Sequence, residues 1–300
     1  MSDALKHECG IALLRLKKPL EFYKEKYGSA FYGVQKMYLL MEKQHNRGQD
    51  GAGFASIKLD VEPGERYISR VRSNDSQPIQ DVFAQINARI NEELAEHPEY
   101  AESVELQKKH IPYIGELFLG HVRYGTFGKN SIESVHPFLR QNNWMHRNLI
   151  VAGNFNMTNV KELFDSLIEL GQHPKEMADT VTVMEKIGHF LDDEVTDLYQ
   201  ECKNEGLSKR EASPVIAERL DVKKILRKKE KLESINFRVL YIRVKYYLFE
   251  NCGAFLAFLR PYFFLSFILG SLVKNPFASN AALYSPLASN KAFETLCLIA

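Results

Sequence analysis

The sequence has little cysteine, a single tryptophan and no excess of either charge. Its four cysteines, Cys9, Cys202, Cys252 and Cys297, are widely separated and form no CxxC pair, so neither a disulfide framework nor a zinc site is indicated. The formal net charge of +1 gives no reason to expect a nucleic-acid partner. The first eight residues, MSDALKHE, lack the apolar stretch of a secretory signal. We therefore expect reduced thiols and a cytoplasmic location.

What is present is the composition of an ordinary globular protein. Of the 300 residues, 45% are hydrophobic and 26% are charged, which is enough to bury a sizeable core in about one or two domains. Short apolar runs and turn signals predict strands over residues 10–16, 53–59, 66–71, 114–124 and 148–152. The second and third of these strands are expected to form a hairpin, because Pro63 and Gly64 lie between them.

Helical spacing of apolar residues alternates with these strands. It predicts helices over residues 30–41, 82–94, 160–170, 180–191 and 208–220. Capping boxes at Asn159 with Glu162 and at Ser208 with Glu211 mark two of the helix starts. The polar stretch 96–110 is expected to be a surface excursion. Because hairpins and helices occur in mixed order, the predicted fold class is α+β rather than a parallel α/β sheet.

Cys9 stands at the start of the apolar run GIALLRL. A thiol is a useful nucleophile only when a base removes its proton, and an α-amino group has a pKa of about 8. If the peptide bond before Cys9 were cut, the thiol and its base would belong to one residue. The alternative is a buried cysteine that acts as a small core residue.

Four ordered strings, HECGI, HNRGQDGAGF, GHVRYGTFG and VAGNFNMTN, favour the catalytic interpretation. Together they resemble the class II glutamine amidotransferase domain, and within it the glutamine-hydrolysing half of the amidophosphoribosyltransferase family. The resemblance covers residues 9–226. It implies an N-terminal-nucleophile (Ntn) hydrolase fold, an αββα four-layer sandwich that is incomplete in this chain, and a leader of residues 1–8.

The resemblance also assigns the reacting groups. Cys9 would attack the side-chain amide of glutamine once residues 1–8 have been removed. Asn154 would donate its side-chain amide to the oxyanion, and the backbone N–H of the next residue would be the second donor. That next residue is Phe155, where the family usually has glycine.

Substrate binding is assigned to charged residues and to the glycine-rich string. Arg123 would hold the α-carboxylate of glutamine, a task that suits a planar guanidinium. Asp179 would bind the α-ammonium group, or cap the helix that follows it. Arg47 and Gly48 would help wall the glutamine pocket. No GxGxxG or Walker string is present, and none of the histidines is assigned a catalytic role.

The resemblance ends near residue 226. The phosphoribosyltransferase domain of the family, with its Mg²⁺-binding acidic loop, is not recognisable, so we expect no cofactor in this chain. Residues 227–300 match nothing in the family and are interpreted as an out-of-frame tail or, as the secondary interpretation, as a membrane anchor at 253–273. Arg260 and Pro261 interrupt that apolar segment, and a central arginine costs roughly 2.5–3.5 kcal/mol on insertion.

The expected function is hydrolysis of L-glutamine to glutamate and ammonia, the ammonia-supplying half of the first step of purine biosynthesis. The alternatives are another class II glutamine amidotransferase, or a truncated inactive remnant that acts as a binding protein. The expected partners are L-glutamine and either a separate acceptor domain or a second copy of the chain, with no nucleic acid.

Overall fold

The structure, a computed structural model, describes residues 9–125, 131–153, 156–157, 159–221, 237–238, 244–249, 254–259 and 295–299. The strands are β1 Gly10–Leu16, β2 Gly51–Ile57, β3 Ile68–Ser73, β4 Leu117–Arg123, β5 Phe138–Arg140, β6 Leu149–Gly153, β7 Asn156–Met157, β8 Phe237–Arg238, β9 Val244–Phe249, β10 Ala254–Leu259 and β11 Thr295–Ile299. The α-helices are α1 Leu20–Tyr27, α2 Tyr32–Glu42, α3 Pro78–Glu96, α4 Val104–His110, α5 Val160–Glu169, α6 Asp179–Asn204 and α7 Lys209–Arg219. This mixture of helices and antiparallel sheets confirms the α+β class, while the four-layer Ntn-hydrolase arrangement stays a prediction.

The chain divides into two units. The first contains the described residues of Met1–Pro137, Ala152–Asn154 and Arg243–Pro261, and the second those of Phe138–Val151, Phe155–Ile242 and Tyr262–Ala300. The predicted domain boundaries, 1–8, 9–226 and 227–300, remain a prediction.

A six-stranded antiparallel sheet, in the order β3-β2-β4-β1-β10-β9, forms the first unit. The predicted hairpin of β2 and β3 is present, with Gly53 opposite Arg72. In β4 and β1, Val122 pairs with Gly10. The sequence reasoning did not foresee the pairing of β1 with β10, in which Leu14 lies opposite Leu256.

Helices α2 and α3 pack on one face of this sheet, against β1, β4, β2 and β3. Alternate strand residues, among them Leu14, Phe54 and Phe118, join the helices in one buried apolar cluster. Because neighbouring side chains of a strand point to opposite faces, Ile11, His121 and Arg123 belong to the other face. Arg123, the predicted site residue of β4, therefore lies on the face away from these helices.

The second unit has its own core, built mainly on α6. Residues Val183, Ile187 and Phe190 of this helix pack with Leu163 of α5 and Ile216 of α7. The capping box predicted for α7 is confirmed, since Ser208 and Glu211 satisfy each other's backbone N–H groups. The strand orders here are β11-β6-β5 and β7-β8.

Several element boundaries differ from the sequence predictions. The predicted surface excursion contains α4 and a short 3₁₀ turn, Pro98–Ala101, and α1 had not been predicted. Helix α6 begins one residue earlier than predicted and continues to Asn204. Among the described helices, none combines the length and the apolar character needed to cross a membrane. Of the predicted anchor at 253–273, residues 254–259 form β10, and the remainder lies outside the described residues.

Candidate active site

Cys9 directly precedes β1 and lies beside the end of β4. The backbone N–H of Tyr124 donates to its Sγ atom at 3.4 Å, and the carbonyl oxygen of Tyr124 is 3.8 Å from the same sulfur. Cys9 is largely covered by its neighbours but does not belong to the buried apolar cluster of this unit. The thiol thus adjoins the residue that follows Arg123 in the sequence.

The loop before β2 is fastened to the same end of β4. The backbone N–H of Asp50 donates to the carbonyl oxygen of Arg123 at 3.0 Å, and its carboxylate accepts from the N–H of Gly125 at 2.7 Å. Gly48 approaches so closely that a Cβ atom there would lie 2.4 Å from the carbonyl carbon of Arg123. A glycine at residue 48 is therefore required by close backbone approach.

Gln44 holds the start of β1 against α2. It is buried, and its side-chain amide donates to the carbonyl oxygens of Ile11 and Leu40, each at 3.3 Å. A Cβ atom on Gly10 would lie 2.7 Å from the side chain of Gln44. This packing fixes the backbone directly after Cys9.

Two opposing effects act on the Cys9 thiol. Burial raises its pKa above the ordinary value, which is the larger effect, while the Tyr124 N–H and the positive charges of Arg123 and Arg47 act in the opposite direction. The net rise means that the thiol form dominates at neutral pH, so this cysteine needs a base to become a nucleophile. The two guanidinium groups make the surroundings attractive for an anion.

Two stacked histidines lie on the same face of the sheet as Arg123. The rings of His121 and His136 are 4.5 Å apart at an interplanar angle of 18°. Burial, with a smaller contribution from Arg123, lowers the pKa of His121 to about 3. Burial, together with His121 and Arg123, also lowers the pKa of His136 well below its ordinary value. Both rings are therefore neutral at physiological pH.

The glycines of the GAGF string provide a flat surface for the segment Val135–Pro137. A Cβ atom on Gly53 would lie 2.0 Å from the carbonyl oxygen of His136. The guanidinium groups of Arg72 and Arg70 donate to the carbonyl oxygens of Val135 and Pro137, at 3.0 and 3.3 Å. The glycines of β2 thus let the segment Val135–Pro137 pack directly on the backbone of this strand.

The structure brings together four of the seven predicted site residues: Cys9, Arg47, Gly48 and Arg123. Asp179 belongs to the second unit, where it is the first residue of α6. A carboxylate there is favoured by the partial positive charge at a helix N-terminus. Asn154 and Phe155 lie outside the described residues, and their roles stay predictions.

Sequence reasoning missed Gln44, Asp50, His121 and His136 as parts of this region. Asp50 and His121 fall inside the quoted strings HNRGQDGAGF and GHVRYGTFG, so the motifs themselves carried that signal. Gln44 and His136 have no signal of their own, because their importance arises from partners distant in sequence. In the described part of the chain, no group of three His, Cys, Asp or Glu side chains is placed to hold a metal ion.

Comparison with known proteins gives partial, distant similarities. No family model matches the chain. It is 27% identical over 139 residues to a glutamine–fructose-6-phosphate aminotransferase of Sulfurisphaera tokodaii, a match that covers 46% of this chain and 23% of that protein. It is 28% identical over 150 residues to amidophosphoribosyltransferase 3 of Arabidopsis thaliana, covering 50% of this chain and 22% of the relative. An amidophosphoribosyltransferase of Staphylococcus epidermidis is 25% identical over 174 residues, covering 58% and 28%.

The match spans about a quarter of the length of these relatives. The similarities are consistent with a class II glutamine amidotransferase domain and support glutamine-dependent amidotransferase function in general. Within that class, this chain is similar to glutamine–fructose-6-phosphate aminotransferase and to amidophosphoribosyltransferase at nearly equal identity.

Proposed function

We propose that this chain hydrolyses glutamine to glutamate and ammonia, with Cys9 as an N-terminal nucleophile. The observation that carries the proposal is the convergence of the Cys9 thiol, the end of β4 at Arg123 and the Arg47–Gly48 loop at one end of the neighbouring strands β1 and β4. In the sequence these residues are far apart, and only the order of the four motifs indicated that they belong to one site. The distant similarity to two glutamine-using enzymes supports it.

The first chemical step needs a free α-amine on Cys9. In the uncleaved chain the nitrogen of Cys9 is an amide and is not basic, so the bond between Glu8 and Cys9 must be cut. The amine then takes the thiol proton, and the thiolate attacks the side-chain carbonyl carbon of glutamine. When the tetrahedral intermediate collapses, the C–N bond breaks, the proton passes to the nitrogen, and ammonia leaves a γ-glutamyl thioester.

The second step is hydrolysis of the thioester. Water adds to the carbonyl carbon as the same amine accepts its proton, and the C–S bond breaks to release glutamate and the free thiol. Both tetrahedral intermediates carry a negative oxygen. Asn154 and the N–H of Phe155 are proposed as its donors, and each such donor contributes about 2.7–4 kcal/mol.

Recognition of the substrate is assigned to opposite charges. Arg123 and, through its longer-range charge, Arg47 attract the α-carboxylate, while Asp179 binds the α-ammonium group. Gly48 keeps the loop close enough to Arg123 to form the wall of the pocket. The positive charges of Arg123 and Arg47 beside the thiol fit the α-carboxylate of an amino acid such as glutamine.

For the fate of the ammonia, we propose the amidophosphoribosyltransferase reaction, in which ammonia reaches an acceptor held by a phosphoribosyltransferase domain. Mg²⁺ would belong to that domain, and the acceptor would come from a separate chain or a second copy. The similarity to glutamine–fructose-6-phosphate aminotransferase supports a different acceptor as the second candidate. The glutamine half-reaction is the same in both.

The test compares chains with and without residues 1–8. A protease site ending at residue 8 is introduced, the purified chain is cut, and its first residue is verified by mass spectrometry. The cut protein should release ammonia from glutamine, whereas cut Cys9→Ala and uncut wild type should not. Equal ammonia release from the cut proteins with Cys9 and with Cys9→Ala would disprove the proposal. No release from the cut protein with Cys9 would also disprove it, and would favour an inactive remnant.

A further inference from the structure

His136 stands out because three separate features hold it in place. Its ring stacks on His121 at 4.5 Å, its carbonyl oxygen rests where Gly53 has no side chain, and its neighbours Val135 and Pro137 are held by Arg72 and Arg70. Such a rigid setting is typical of a residue that orients another group.

The group that His136 orients is the end of β6. Its Nδ1 atom accepts a hydrogen bond from the backbone N–H of Gly153 at 3.1 Å. An imidazole nitrogen can accept only when it carries no proton, so the ring must be the neutral tautomer with its proton on Nε2. Burial keeps the pKa of His136 well below the ordinary value, which maintains that acceptor throughout the physiological range.

Gly153 is the residue immediately before Asn154 in the sequence. We propose that His136 is a positioning residue for glutamine hydrolysis, which fixes the backbone leading into the predicted oxyanion donor Asn154 by accepting the Gly153 N–H. This inference rests on the proposed function. It assigns a role to His136, which lies outside the four strings that carry the resemblance.

The stacked pair of His136 and His121 also connects Gly153, which precedes the predicted oxyanion donor, with the strand that contains Arg123. His121, the stacking partner of His136, lies two residues before Arg123 on β4 and opposite Ile11 of β1. A displacement of the His136 ring would remove the hydrogen bond to the Gly153 N–H directly, whereas Arg123 acts on this ring through its charge. We expect transition-state stabilisation to suffer more than glutamine binding.

Two substitutions distinguish the effect of losing the hydrogen-bond acceptor from the effect of losing the imidazole ring. In His136→Asn, the side-chain oxygen takes the place of Nδ1 as an acceptor, whereas His136→Leu fills similar space and accepts nothing. Because a misplacement of about 1 Å in an active site can cost about 100-fold in rate, His136→Leu should lower kcat by about 10- to 100-fold while KM for glutamine changes less than about threefold. His136→Asn should restore most of kcat, and His110→Leu, a surface histidine of the same unit, should leave it unchanged.

Hydrogen exchange of the Gly153 amide provides a measurement that does not depend on activity. The amide should be protected in wild type and His136→Asn, and should exchange faster in His136→Leu while the amides of β1 keep their protection. Unchanged kcat in His136→Leu, equal losses in both variants, or a rise in KM alone would overturn the inference while the proposed function stood. A wild-type chain that releases no ammonia would defeat both, and the exchange data would still decide whether the hydrogen bond exists.

Discussion

At the scale of single residues, the proposed role of Cys9 as a nucleophile depends on the protonation state of its thiol. The net rise in its pKa, caused mainly by burial and opposed by Arg123 and Arg47, leaves little thiolate at neutral pH. A nucleophile in this setting depends on a local base, which the α-amine of a cleaved chain would supply. The uncleaved chain should therefore be unreactive near neutral pH.

The pKa of Cys9 can be followed by alkylation of the uncleaved chain with iodoacetamide. Since only the thiolate reacts, the rate should rise with pH, and its midpoint should lie above that of a free cysteine peptide. Arg123→Gln removes a charge that favours the thiolate, so the midpoint should rise further. The measurement is mass-spectrometric mapping of the peptide that contains Cys9. Arg89→Gln on the surface of α3 is the control, and a midpoint below that of the free peptide would contradict the prediction.

Gly48 illustrates a requirement set by space alone. In Gly48→Ala the new methyl group would meet the carbonyl carbon of Arg123 at 2.4 Å, and backbone atoms cannot move aside cheaply. We expect the free energy of unfolding, measured in urea, to fall by about 1–3 kcal/mol. Gly125→Ala is the matched control, because its Cβ atom would make only ordinary contacts at 3.4 Å. Equal stability of the two variants would show that the loop before β2 adjusts freely.

At the scale of elements, the second unit depends on contacts between β5 and α6. Arg140 of β5 donates to the carboxylates of Asp192 and Glu185 on α6, with its Nε atom 3.1 Å from Glu185. Gly188 lies between them, and a Cβ atom there would lie 2.5 Å from Nε of Arg140. Asp192 thus helps to connect α6 to β5.

Neutralising Asp192 should weaken this connection. Asp192→Asn keeps the size of the side chain but removes the charge that faces Arg140 and Arg147, and the expected loss of unfolding free energy is about 1–3 kcal/mol. The adjacent change Asp193→Asn should cost less, because that carboxylate is more exposed and lies 3.6 Å from His189. Thermal melting of both variants by circular dichroism tests the difference. If Asp193→Asn were the more damaging change, the assignment to Arg140 would be wrong.

The elements that could be predicted from the sequence were those with local signals. Strand β1 was placed at residues 10–16 by its apolar run, and α7 by the capping box of Ser208 with Glu211. Helix α6 was predicted too short because its later turns are more polar on average. In the candidate site, motif order predicted Cys9, Arg47, Gly48 and Arg123, which lie together in the structure, while their roles stay predictions. The hydrogen bond from Gly153 to His136 gave no such signal, since it joins residues whose closeness depends on tertiary packing.

At the scale of the whole molecule, the first unit is built from segments that are distant in the sequence. Strand β10 lies between β1 and β9 in the six-stranded sheet, although residues 227–300 have no counterpart in the motif resemblance. Without β10, the backbone groups on one side of β1 would form an open sheet edge, which is prone to association with other chains. Strand β10 therefore protects β1, the strand that directly follows Cys9.

A proline in β10 tests this dependence. Leu256→Pro removes a backbone N–H from a strand paired on both sides, so the free energy of unfolding in urea should fall by about 1–3 kcal/mol, with larger species appearing on size-exclusion chromatography. Leu256→Thr keeps the N–H and suits a strand, so it should cost less. If the proline variant matched the wild type in both measurements, β10 would contribute nothing to the sheet. If the proline variant is destabilised, ammonia release by its cut form will show whether the Cys9 site survives the damage to the sheet.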